Sequence, residues 1–152
     1  MKFIAVAILT LIVDKAMLVL SEITAYTPYL EPKLPILDAN FNLMCPLALK
    51  MHIKFIQDKA NKAFQLNKDP NTRLPEYRHS KFPGQILYTY PLNDLVSFSK
   101  GILAQNHMVI DSAGYFLHGF TRIQSNGLES ETPCVFSKST NFGSYHDTRF
   151  VF

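Results

Sequence analysis

The sequence predicts an α+β domain in which one amphipathic helix covers one face of an antiparallel sheet. Three observations carry this. Residues 47–66 have apolar side chains at helical spacing. Four short segments between residues 85 and 123 are rich in aromatic and branched residues at strand length. All four follow the helix and are separated by turn residues rather than by further helices. At 152 residues the chain has room for one such domain, and 12 Phe and 7 Tyr can fill its core without any Trp. Charged residues at 18%, hydrophobic ones at 47% and only 6 Gly exclude a collagen, a coiled coil and a wholly disordered chain. A net charge of +3 and a pI of about 8.8 permit contact with phosphate without requiring it.

Taken in order, residues 1–25 read as a secretory signal peptide. Lys2 opens a short basic region, and Phe3 to Val13 form an apolar run of the required length. Asp14 and Lys15 interrupt the run before a membrane-spanning length accumulates, so the expectation is secretion with no stable membrane association after cleavage; the alternative is an uncleaved anchor. Residues 26–40 are proline-rich and suit an extended N-terminal arm. Phe41 to Cys45 start a strand. Pro46 suits the first turn of a helix, and Leu49, Ile53, Ile56, Ala60, Ala63 and Phe64 form its inner stripe, with Lys50, Lys54, Lys59 and Lys62 on a solvated face. Strands are expected over 85–90, 95–99, 107–110 and 115–123, bounded by Pro91, Gly101 and the turn Asp111-Ser112-Ala113-Gly114. Residues 137–152 read as an irregular tail.

Export would carry Cys45 and Cys134 through an oxidising path, which predicts one disulfide; the alternative is two buried thiols. Closing a loop of about 90 residues contributes roughly 4–5 kcal/mol in the loop-entropy model. Neither cysteine has a CxxC or histidine neighbour at zinc spacing, and no metal site is expected. The nucleophile elbow, the P-loop, the dinucleotide glycine motif and HExxH are all absent, so no cofactor is implied.

If the Asp111–Gly114 turn has two central residues, His107 and His118 face each other across a hairpin with Arg122 on the same side. The order of Tyr77-Arg78-His79, a strand ending Tyr88-Thr89-Tyr90-Pro91-Leu92, a hairpin containing Leu117-His118-Gly119-Phe120 and a closing Cys134 resembles, over residues 41–136, the fungal guanyl-specific ribonucleases. That resemblance implies one helix packed on a twisted antiparallel sheet. It also implies a site where a carboxylate and a histidine take the ribose 2′-OH proton, a second histidine protonates the leaving oxygen, and an arginine stabilises the phosphoryl transition state. Tyr77 and His79 match this pattern. Thr89 stands at the carboxylate position, His107 falls near the arginine position, and Arg122 or Ile123 falls where the second histidine is expected. The implied protein is therefore not an enzyme but a pseudo-ribonuclease lacking the carboxylate and the general-acid histidine.

With its leader and single disulfide, the chain is similar to the ribonuclease-like effectors that powdery mildew fungi secrete, although Leu43-Met44-Cys45 departs from their aromatic-x-Cys. The resemblance implies a virulence effector delivered into host cells, binding host RNA or a host protein, with an immune receptor as a further partner. Tyr77, His79, Thr89, His107 and Arg122 form its remnant or RNA-binding site. Two other readings stand beside it: a protein-interaction scaffold without RNA binding, and an active ribonuclease that recruits its acid from Glu76 or Asp94.

Overall fold

Aromatic and β-branched side chains outnumber good helix formers after residue 85, and the chain there folds as sheet. The computed structural model describes residues 32–47, 50–98 and 101–145. The leader 1–25, the start of the arm (26–31), Leu49, Ser99 and the end of the tail (146–152) lie outside the described residues. In chain order the elements are β1 (Lys33–Pro35), β2 (Asn42–Met44), β3 (Met51–His52), α1 (Ile53–Lys68), β4 (Glu76–Tyr77), β5 (Leu87–Pro91), β6 (Val96–Phe98), β7 (Ile102–Asp111), β8 (Phe116–Ser125), β9 (Leu128–Pro133), β10 (Val135–Phe136) and β11 (Phe142–Ser144). The fold is α+β, with one helix among the described residues and antiparallel strand pairs throughout.

The main sheet runs β4-β5-β7-β8-β9, with β6 beside β7; β10-β2-β3 and β1-β11 are smaller sheets. The arm and the tail thus each contribute a strand, and Leu34 pairs with Gly143 from the far end of the chain. The helix starts at Ile53 rather than residue 47 and extends to Lys68. Residues 46–47 turn instead, and Met51 pairs with Leu43 in β2 with both side chains buried. Burial of Met51 in the core overrides the local preference that Pro46 expresses for a helix start.

Two apolar clusters lie on opposite faces of the sheet. On one face, Ile56, Ala60 and Ala63 of α1 pack against Tyr88, Tyr90, Met108, Ile110 and Phe116. On the other, Leu34 and Phe82 join Leu87, Val109, Leu117 and Phe120. The helix and the β7–β8 turn meet closely: a Cβ on Gly114, which has φ +90°, would lie 2.8 Å from Cγ of Phe64.

Cys45, just after β2, and Cys134, just after β9, form the expected disulfide across a separation of 89 residues. Both are buried in the helix-side cluster. Reduction should lower the melting temperature by about 10–25 °C, the shift that ~4 kcal/mol produces in a domain of this size. Thermal unfolding with and without reductant checks this; unchanged melting would remove the disulfide from the stability of the fold.

Candidate functional site

The site face is set by how β7 meets β8. The turn between them has three residues, 112–114, because Asp111 N–H donates to the Tyr115 carbonyl and Asp111 Oδ1 accepts from the N–H groups of Ala113 and Tyr115. A β-bulge then follows: Ile110 pairs with Phe116, but Val109 pairs with His118. Leu117 is the extra residue. Relative to a two-residue turn, these two insertions move the partner of His107 from His118 to Phe120.

Because the total displacement is two residues, His107, His118, Phe120 and Arg122 share one face of the sheet, the face opposite the helix. Phe120, 2% exposed, occupies the middle of it. Its ring stacks on His107 at 5.3 Å between centroids and on Tyr77 at 5.3 Å, while the Arg122 guanidinium lies 5.5 Å above it. His79 lies 4.8 Å from His118 and 6.4 Å from Tyr77. Tyr77, His79 and Arg122 are thus gathered around Phe120, and His107 touches that group from the far side of the phenyl ring. Thr89 is buried on the same face, opposite Val109, which is in turn opposite His118.

Among the described residues one carboxylate bonds to this group. Glu131 of β9, opposite Arg122, accepts from Arg122 Nη2 at 2.9 Å and from the Tyr77 hydroxyl at 3.0 Å. Glu76 pairs with Arg73 at the surface, and Asp94 is exposed beyond β5. Sequence reasoning missed both Phe120 and Glu131. For Glu131 a signal existed: Asn126-Gly127, both at positive φ, is a two-residue hairpin turn, and it sets Arg122 opposite Glu131.

Burial governs the charge state of the site. The His118 pKa is pushed down to about 4, first by burial and then by the charge of His79 nearby. Burial also lowers His79 and His107, with Lys81 and Arg122 respectively as the next causes. At neutral pH His118 is therefore uncharged, and the same cause disfavours the charged form of His79 and His107. Tyr77 is raised to about 12 by burial and by its bond to Glu131, so it stays a donor. The Lys81 N–H donates to His79 Nδ1 at 3.1 Å. His118 Nε2 and His107 Nδ1 are buried with no hydrogen-bond partner.

Beside this cluster lies a groove of 740 Å³ to which both the sheet and the β1–β11 ribbon contribute. Tyr77, His79, His118 and Phe120 line one side, and Lys33 and Phe142 of the ribbon line the other. Among the described residues no three metal-ligating side chains come together, and no helix is long and apolar enough to cross a membrane. Comparison of the chain with protein-family models, with curated proteins and with solved structures gave no match.

The part-buried imidazoles make stability depend on pH. A histidine whose folded pKa lies below its unfolded value near 6.5 binds its proton mainly in the unfolded state, so stability falls as pH drops from about 6.5 towards 4. For His118 alone the loss between pH 7 and pH 5 is up to about 2 kcal/mol, and His79 and His107 add to it in the same direction. Asp111, whose pKa burial raises, acts in the opposite sense. His118→Phe should therefore show a smaller drop in melting temperature between pH 7 and pH 5 than the unaltered protein. Equal drops would mean that His118 is not held neutral.

Proposed function

We propose that this chain is a secreted, ribonuclease-like effector that holds single-stranded RNA without cleaving it, acting inside a host cell. The observation that carries the reading is Phe120: a buried phenyl ring fills the centre of the face on which Tyr77, His79, Thr89, His107 and Arg122 converge. An apolar ring, not a polar side chain, thus stands at the centre of the face. The chemistry is impaired at three further points. Thr89 has no useful basicity where the resemblance expects a carboxylate. Glu131, the carboxylate that does approach, has an oxygen bound by Arg122 and the other by Tyr77. His118 is neutral at pH 7 and has no proton to spare for a leaving oxygen. Loss of one acid–base group lowers rate by about 10²–10⁴, so two such losses abolish useful turnover.

Support for RNA rather than another ligand comes from aromatic rings along the groove and lysines at its rim, the combination used for single strands. A protein partner is the second reading. Leu95, Val96 and Phe98 are exposed at and beside β6, which among the described residues pairs only with β7, and that stretch carries no charge to discourage pairing with another strand.

Incubation with an unstructured RNA should give no detectable cleavage by the unaltered protein and at most a trace by Thr89→Glu, because the restored carboxylate still faces Phe120 and has no partner acid. Robust wild-type turnover that His79→Ala abolishes would overturn the pseudo-ribonuclease reading and return the site to the active enzymes.

A further inference from the structure

If RNA is held on this face, its phosphate needs a cation, and the remnant site has none to offer. Arg122 is paired with Glu131, and partial burial disfavours the charged form of the three imidazoles. Two lysines remain. Among the described residues that line the groove, Lys33 and Lys81 are the cations without a carboxylate partner, and both side chains are exposed.

The ribbon adds an aromatic surface beside one of them. Lys33 pairs with Ser144 and Pro35 with Phe142, so Lys33 and Phe142 stand on one side of the ribbon while Leu34, opposite Gly143, is buried in the sheet-face cluster. Phe142 is 44% exposed, and its ring meets that of Phe136 edge to face at 5.3 Å. A ring held upright by a neighbour and open on one face is a platform for a base. Neither Lys33 nor Phe142 belongs to the remnant catalytic pattern; both come from the ends of the chain, outside residues 41–136.

We propose that the groove beside the terminal ribbon takes one nucleotide of single-stranded RNA, with its base on Phe142 and its phosphate on Lys33 and Lys81. The nucleotide lies beside the degenerate catalytic face rather than on it. This inference rests on the RNA-binding reading. It differs in what it requires: binding depends on residues that the ribonuclease pattern does not contain.

The test is fluorescence anisotropy of an unstructured 12-nucleotide RNA of mixed sequence, at about 50 and 200 mM salt. With one phosphate neutralised, wild-type affinity should fall about 2.6-fold across that range, from a slope of roughly −0.7. Lys33→Ala/Lys81→Ala should bind more weakly and lose this salt dependence, and Lys33→Arg/Lys81→Arg should restore it. Phe142→Ala should weaken binding about tenfold while keeping the slope. All five side-chain changes are at exposed positions, and circular dichroism verifies that each variant is folded. If the wild type binds and the double alanine variant binds equally tightly, this inference fails and the RNA reading survives. Failure of the wild type to bind overturns both. Equal competition by a poly-glutamate peptide of the same charge overturns the nucleotide assignment, since it needs charge alone.

Discussion

The pairing of β7 with β8 is the constraint on which the rest depends. Side chains alternate between faces with a period of two, so one residue gained or lost in this hairpin exchanges the helix core for the site face. The chain gains two, one in the turn that Asp111 organises and one at Leu117. The bulge at Leu117 separates residues that face opposite sides of the sheet. Phe116, before it, faces the helix with Ile110. His118, Phe120 and Arg122, after it, face away from the helix with His107. A regular hairpin would have placed Phe116 and His118 on the same face, costing the core one of its phenyl rings. Bulges are common beside functional surfaces for this reason: they re-aim side chains without breaking the sheet.

The elements that were legible in the sequence are those whose own residues show which face is buried. Ile56, Ala60 and Ala63 mark the helix stripe, and the aromatic segments mark β5, β7 and β8. Elements without such a mark were not. All six residues of β9 are exposed, so Leu128 to Pro133 shows no alternation. β1 and β11 are three residues each and find one another across the whole domain, and nothing local specifies that partner. β3 is helical by local preference and extended by tertiary demand. At the site, Tyr77, His79 and Thr89 could be read from their order along the chain. The role of Phe120 could not, because it follows from a register that two separate insertions decide.

Those two insertions also decide how the same residues sit together. Parity keeps His107, His118 and Arg122 on one face, as a two-residue turn would have done. Displacement puts a phenyl ring, rather than a second imidazole, opposite His107. The ring excludes water, and excluding water lowers the basicity of each histidine around it. Arg122, the fixed cation of the face, is then left with Glu131 as its partner across the β8–β9 hairpin. Apolar filling and charge pairing act in the same direction, towards a face that stacks rings and carries little net charge.

The disulfide ties this face to the ends of the chain. Gly119, between His118 and Phe120, has no side chain where a Cβ would lie 3.1 Å from Sγ of Cys134, so the sulfur packs directly on the sheet. From Cys134 the chain passes at once into β10, which pairs with β2 beside Cys45, and then on to β11 and its partner β1. Phe136 and Phe142, which wall the groove, therefore take their positions from a covalent bond made under the middle of β8. Stability and site shape share that bond. A chain that loses it loses the anchor of the strands that form the groove, while the hairpin of β7 and β8, held by its own turn and register, has no such dependence.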